Sequence, residues 1–191
     1  MNELTVSTTP VRKALAMAEY STITSGITAL DIITKAAEVD VLAAQTICPG
    51  KFMILFCGEI GAVKASLEAA RRTPHKIDEF LLGSPHADIF AALKGTVALS
   101  ENAALGLIET YSAAAAIKAA DAAAKAAWVS LTDIRIAHGM CGKSTAMFTG
   151  EVAAVTAALE AAKTEASHKG KLLDAVLIPN PDKKMLEAMR R

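Results

Sequence analysis

Cysteine is the residue type of this chain with the clearest capacity for chemistry, and it occurs at Cys48, Cys57 and Cys141. Thiolates bind soft metal ions and iron-sulfur clusters, and pairs of thiols form disulfides. The odd number and the lack of any C-x-x-C pair argue against a disulfide framework. The four histidines do not pair with the cysteines at a spacing typical of zinc. The spacing within one chain therefore predicts no metal site.

A second chemical motif lies at residues 137–144, which read AHGMCGKS and fit a relaxed P-loop pattern with alanine at the first glycine. A P-loop needs a helix that begins at the Gly-Lys-Ser end, so that backbone N–H groups point at the phosphates. Here the pattern of residues 144–149 predicts a strand instead. A P-loop nucleotide-binding enzyme is therefore the least favoured of the functions considered.

Composition excludes further classes of function. The chain has 191 residues, with 20 Lys and Arg against 20 Asp and Glu, and only 4% aromatic residues. Balanced charge and few aromatics do not fit a nucleic-acid binder. The longest stretch without Asp, Glu, Lys or Arg is 20–30, too short for a bilayer, and no signal peptide is evident. We expect a cytoplasmic protein that contacts neither nucleic acid nor membrane.

An internal repeat organises the elements that must position these residues. Two halves of the chain share residue types in the same order, which indicates duplication of one unit. The matches are between 14–39 and 104–129 at an offset of 90, between 50–70 and 142–162 at an offset of 92, and between 78–85 and 174–181 at an offset of 96.

Each half predicts the element order β-α-β-β-α-β followed by a short helix, which is a ferredoxin-like α+β pattern. We expect an N-terminal tail at 1–13, a first domain at 14–95 and a second domain at 104–191. In the second half the predicted elements are strand 104–110, helix 112–127, strands 129–137 and 144–149, helix 151–166, strand 171–178 and terminal helix 183–189.

This order and several segments of the second half resemble the BMC domains of bacterial microcompartment shell proteins. The segments that carry the resemblance are 104–110, 119–121, 125–127, 150–155 and 176–179. Two such domains in one chain resemble the tandem-domain shell proteins. That resemblance implies a non-enzymatic homotrimer that mimics a hexamer, lies in a microcompartment shell and tiles with other shell proteins.

The segments 46–52 (TICPGKF) and 58–62 (GEIGA) are similar to the iron-sulfur subgroup of these proteins found in propanediol-utilisation compartments. The resemblance implies that Cys48, Pro49, Gly50 and Lys51 form a loop at the central pore. It further implies that Cys48 of each chain binds one [4Fe-4S] cluster on the threefold axis, for electron transfer across the shell or cluster delivery. A plain metabolite pore, with Cys48 as a small apolar side chain, is the alternative.

The matching loop of the second half contains Met140, Cys141, Gly142 and Lys143, which we also assign to the predicted pore. Cys141 aligns with Pro49 and is either a second ring of thiols or an incidental small residue. Cys57 ends an apolar strand and is expected to pack in the core.

Two repeat-matched lysines, Lys35 and Lys125, correspond to the lysine that the family places at the edge between tiles. The family's companion arginine before the last proline is absent, since Ser84 and Asn180 occupy those positions. The expected partners are copies of this chain, other shell proteins and an encapsulated redox enzyme.

Overall fold

The computed structural model describes residues 14–95, 103–137 and 139–189. The predicted tail at 1–13 and His138 lie outside the described residues. The chain divides into two compact units. The first contains 14–46 and 50–85, and the second contains 47–49 and the described residues from 86 onward.

The first unit is a four-stranded sheet of order β2-β3-β1-β4 with two helices. Strand β1 pairs antiparallel with both β3 and β4 and is buried along its whole length. Its even-numbered residues, from Ala14 to Tyr20, share one core with the helices. The elements are β1 (Ala14–Tyr20), α1 (Ile23–Ala36), β2 (Asp40–Ile47), β3 (Lys51–Gly58), α2 (Ile60–Ala69) and β4 (Lys76–Gly83).

The second unit repeats this plan with sheet order β6-β7-β5-β8 and has a helix at each sequence end. The predicted element order is confirmed, and the predicted strand 104–110 and helix 183–189 have the observed bounds. The elements are α3 (Asp88–Ala92), β5 (Ala104–Thr110), α4 (Ala113–Ala126), β6 (Val129–Ile136), β7 (Ser144–Gly150), α5 (Val152–Ser167), β8 (Leu172–Ile178) and α6 (Lys183–Met189).

Helices α1 and α4 begin in the same way. The Thr22 and Ser112 side chains accept hydrogen bonds from the N–H groups of Ser25 and Ala115, at 3.4 and 3.2 Å. Such caps satisfy N–H groups that have no partner inside the helix. The repeat therefore extends to the residues that start each helix.

Helix α4 is the most deeply buried helix of the second unit. Nine of its residues are buried, and it packs closely against α5. Alanine side chains allow this close approach at little cost in side-chain entropy, and alanine has the highest helix propensity. The concentration of alanine in the second half thus serves the packing of two neighbouring helices.

Residues 86–95 pack with the second unit, although the repeat assigns them to the first half of the chain. They fall within the predicted first domain, 14–95, whereas in the structure they cluster with the second compact unit. Helix α3 packs there against β6 and α4, and it buries Ile89 and Ala92. The apolar side of a five-residue helix needs a neighbouring surface, and the second unit supplies that surface.

A close approach in the second sheet explains one glycine. A Cβ at Gly106 would overlap the ring of Phe148, which is fully buried. We expect Gly106→Ala to destabilise the protein by about 1 to 3 kcal/mol through overpacking. Urea unfolding measures this loss.

Gly61 provides the matched control, because it lies in α2 with open space around the position of a Cβ. Gly61→Ala should leave stability unchanged or raise it by up to about 1 kcal/mol. Equal unfolding midpoints for wild type and Gly106→Ala would contradict the assigned packing.

Candidate functional site

The cysteine loop, residues 48–50, joins β2 to β3 and carries the predicted cluster ligand. Residues 47–49 belong to the second compact unit. The Cys48–Pro49 peptide bond is cis, and Gly50 has φ of 85°. A positive φ at this position suits glycine, because a Cβ would strain the backbone.

The β6–β7 loop, residues 137–143, is held closed by its own hydrogen bonds. The Ala137 N–H donates to the Lys143 carbonyl at 3.1 Å and to the Ser144 hydroxyl at 3.1 Å. The Lys143 N–H donates to the Met140 carbonyl at 2.9 Å. Gly142 and Cys141 both have positive φ, at 86° and 51°. The described part of this loop is therefore a tight turn with fixed ends.

The two predicted loops meet at Cys48. Its N–H donates to the Ala137 carbonyl at 3.3 Å. On its other side, a Cβ at Gly142 would lie 3.4 Å from the Cys48 carbonyl oxygen. Cys48 is half-buried, whereas Cys141 is exposed. The backbone of Cys48 is thus fixed by the base of the β6–β7 loop.

A repeated ion pair lies at the C-terminal end of each loop, and it was not predicted from the sequence. Lys51 Nζ lies 2.7 Å from Glu19 Oε1, and Lys143 Nζ lies 2.8 Å from Glu109 Oε1. Glu19 is buried. Both carboxylates and both lysines match across the repeat, and that double match was the signal in the sequence that could have revealed the pairs. Each of these two lysines is tied to its own sheet.

The electrostatic effect of this pair is visible at Lys143. The hydrogen bond and the charge of Glu109 raise the pKa of Lys143 above its usual 10.5, with smaller contributions from Cys141 and Tyr111. The lysine therefore remains charged throughout the neutral range.

The thiols can be compared as metal ligands. Among the described residues, no group of three or more His, Cys, Asp or Glu side chains could hold a metal ion within one chain. Cys57 is fully buried in β3 and cannot reach the loops. Cys48 has a backbone held by the β6–β7 loop, and the residue is only half-buried. Its donor chemistry fits an iron-sulfur cluster when several copies each supply one thiolate.

The predicted edge lysines form repeated helix pairs. Lys35 Nζ lies 2.7 Å from Asp31, and Lys125 Nζ lies 2.6 Å from Asp121. The Lys35 pair is well exposed, while Asp121 is buried and also accepts the His86 N–H at 2.8 Å. A role of either lysine between tiles stays a prediction.

The P-loop alternative lacks its structural requirement. Residues 144–150 form strand β7 rather than a helix, so no helix N-terminus follows Lys143.

Of the helices in the described ranges, none has the length and apolar character to span a membrane.

Two copies of one α+β unit, with matched loops after matched strands, define a tandem-domain protein. The sequence pattern of the BMC domain matches residues 14–85 and 104–181. The chain therefore belongs to the BMC-domain family and contains two copies of that domain. The predicted family and the predicted α+β fold class are both confirmed.

Individual relatives agree with this membership. The bacterial microcompartment shell protein PduT of Citrobacter freundii is 34% identical over 179 residues, covering 93% of this chain and 97% of the relative. The shell protein EutM of Salmonella typhimurium is 44% identical over 79 residues, covering 41% of this chain and 79% of the relative. Both relatives are shell proteins, which agrees with the prediction of a structural protein rather than an enzyme.

A solved structure extends the likeness to three dimensions. A microcompartment protein from Desulfitobacterium hafniense DCB superposes with a TM-score of 0.85 at 39% identity. The superposition covers 91% of this chain and 98% of that protein. The likeness therefore includes both BMC domains and nearly the whole chain.

The two repeated ion pairs differ in burial, and this difference is testable. We expect Lys51→Met to destabilise the protein by about 2 to 4 kcal/mol, because it leaves the buried Glu19 carboxylate without its partner. Lys143→Met should cost less, because Glu109 is more accessible to water. Chemical unfolding of the two variants checks the order, and an equal or reversed order would contradict it.

The raised pKa of Lys143 also gives a pH dependence. Because the pKa of Lys143 is higher in the folded state, its contribution to stability is fully present below the unfolded-state pKa of 10.5. This contribution is lost as the pH rises through the higher folded-state pKa. Wild type should therefore keep its stability advantage over Lys143→Met from neutral pH up to about 10.5 and lose it as the pH rises further, as urea unfolding at a series of pH values would show.

Proposed function

We propose that this chain is a structural shell protein of a bacterial microcompartment, located in the cytoplasm as part of the shell. Three copies form a pseudohexameric homotrimer that tiles with other shell proteins. The match of both BMC domains and the likeness to the PduT shell protein support this role.

The proposal places a [4Fe-4S] cluster at the central pore, with Cys48 of each chain as ligand. One chain offers too few thiolates for a cluster, but a closed threefold arrangement brings three equivalent thiols to one axis. Three copies of Cys48 would bind three irons, and a different ligand would complete the fourth. When bound, the cluster supplies a one-electron redox centre.

The hydrogen bond from Cys48 to Ala137 is the observation that carries this proposal. It holds the backbone of Cys48, and the residue is only half-buried, so the position of the ligand residue is set before a cluster binds. Cys141 lies on the same pair of loops but is exposed. In this proposal Cys48 is the primary ligand, and Cys141 is dispensable.

The role in the shell follows from the redox chemistry of such a centre. The cluster would carry electrons across the shell to an encapsulated redox enzyme. Alternatively, the cluster itself would be delivered to that enzyme. The chain's own residues contribute a fixed thiol and a stable loop base. Lys51 and Lys143, paired with Glu19 and Glu109, hold the strands that carry the loops.

Anaerobic purification and reconstitution test the ligand assignment. Wild type should contain iron and acid-labile sulfide and give optical and EPR signals of a [4Fe-4S] cluster. Cys48→Ser should lose most of the iron and these signals, because each copy then lacks its thiolate. The measurements are iron and sulfide content and the two spectra.

Cys141→Ala and Cys57→Ala are the matched controls, and both should retain the cluster. Circular dichroism verifies that all variants are folded. A colourless wild type after anaerobic reconstitution would contradict the cluster and leave the plain metabolite pore. A cluster that survives Cys48→Ser but disappears in Cys141→Ala would reassign the ligand.

A further inference from the structure

The two loops of the candidate site carry their thiols at different positions of the repeat. At the offset of 92, Cys48 matches Met140 and Cys141 matches Pro49. Cysteine therefore stands one position later in the second loop than in the first. The proposed cluster uses the thiol of Cys48 only, and the thiol of Cys141 has no role in it.

The backbones of the two loops are in contact at Cys48. The Cys48 N–H donates to the Ala137 carbonyl at 3.3 Å, and the Ala137 N–H donates to the Lys143 carbonyl at 3.1 Å. Gly142 is buried, and a Cβ on it would lie 3.4 Å from the Cys48 carbonyl oxygen. Cys141 is the residue next to Gly142 in the chain. The two cysteines thus lie on loops that touch.

This contact brings the second thiol close to the first. The Cα atoms of Cys48 and Gly142 lie within about 7.5 Å of each other, since the carbonyl oxygen of one approaches the Cβ position of the other. The Cα atom of Cys141 is one residue further, at about 3.8 Å from Gly142. A disulfide joins residues whose Cα atoms are about 4.4 to 6.8 Å apart. A small movement of the exposed loop tip is therefore enough to pair the thiols.

The backbone at Cys141 supports a role for its side chain. Cys141 has φ of 51°, in the left-handed region that a Cβ disfavours. The glycines on the same loop, Gly139 and Gly142, have similar positive φ of 68° and 86°. A thiol thus occupies a position that glycine would fit better, and such strain at a site points to a function.

We infer that Cys48 and Cys141 of one chain form a disulfide when no cluster is bound, and that a low-molecular-weight disulfide such as oxidised glutathione is the oxidant. Cys141 is the more exposed thiol and reacts first. Its thiolate attacks one sulfur of the small disulfide, a mixed disulfide forms, and one small thiol leaves.

The second step closes the bond between the two loops. The Cys48 thiolate attacks the sulfur of Cys141 and displaces the second small thiol. The two protein thiols lose two electrons together, the small disulfide gains them, and the two protons pass to the two small thiols that are released. Because Cys48 is already held beside the loop, this step occurs within one chain.

The consequence for the cluster rests on the proposed function. Iron binds a cysteine thiolate, and a sulfur in a disulfide offers none. The disulfide therefore withdraws Cys48 from the cluster site, while a bound cluster keeps Cys48 from pairing. In the cytoplasm disulfides of this kind are transient and report an oxidant. The pairing also protects the empty Cys48 from irreversible oxidation to sulfinic acid.

Peptide mapping of the full chain tests the pairing. Iron-free, fully reduced protein is treated with oxidised glutathione, remaining thiols are alkylated, and the chain is digested with trypsin without reduction. Cleavage after lysine and arginine places Cys48 in peptide 36–51 and Cys141 in peptide 136–143. Wild type should yield these two peptides joined, and the intact chain should be two hydrogen atoms lighter and free of glutathione.

Single-cysteine variants are the matched controls, with circular dichroism to verify the fold. Cys141→Ala should form no internal disulfide and should retain one glutathione on Cys48. Cys48→Ser should retain one on Cys141. Cys57→Ala should give the joined peptides as wild type does, because Cys57 is fully buried in β3.

The link to the cluster site is tested by protection. Cluster-loaded wild type, treated anaerobically in the same way, should lose the joined peptides. Removal of the iron with a chelator and renewed treatment should restore them. An equal yield of joined peptides with and without the cluster would overturn the competition between disulfide and cluster.

The outcomes separate the disulfide from the proposed function. Glutathione on both cysteines of wild type, or unreacted thiols at both, would overturn the disulfide and leave the cluster standing. Covalent dimers through these cysteines would overturn the pairing within one chain. A wild type that binds no cluster after anaerobic reconstitution would overturn the proposed cluster, while the joined peptides still decide the pairing of the thiols.

Discussion

The hydrogen bond between the Cys48 N–H and the Ala137 carbonyl joins the two loops on which the proposed site depends. Ala137 can make this bond because its own N–H is held by the end of the β6–β7 loop. Because Gly142 has no side chain, the space beside the Cys48 carbonyl oxygen stays open. The backbone of one potential ligand is therefore fixed by a turn more than eighty residues away in sequence.

The two units share one fold but differ in the surfaces that they expose. Both units keep the sheet order, the helix caps and the Glu–Lys pair at the C-terminal end of each loop. They differ where the second unit is covered by α3 and the first exposes α1 and β2. A chain whose two halves have unequal surfaces can pair with another copy through unlike faces.

Much of this fold could be predicted from the sequence, because each repeat served as a check on the other. Strand 104–110 and helix 183–189 were predicted with their observed bounds. The contacts between elements could not be predicted in the same way. The Glu19–Lys51 pair depends on the register of β1 and β3, which places Glu19 opposite Met53. The packing of residues 86–95 with the second unit likewise depends on which surface buries Ile89, and sequence periodicity carries no information on that choice.

The candidate site was predictable in its residues but not in its geometry. The loop sequences identified Cys48 and Cys141, whereas their different exposure and the bond to Ala137 required the structure. Anaerobic native mass spectrometry of the reconstituted protein tests the central claim most directly, since it reports oligomer and cluster together. We expect a species of three chains with one [4Fe-4S] cluster, which Cys48→Ser reduces to three chains without it. A wild-type trimer at the mass of the protein alone, or a cluster bound to single chains, would contradict the account.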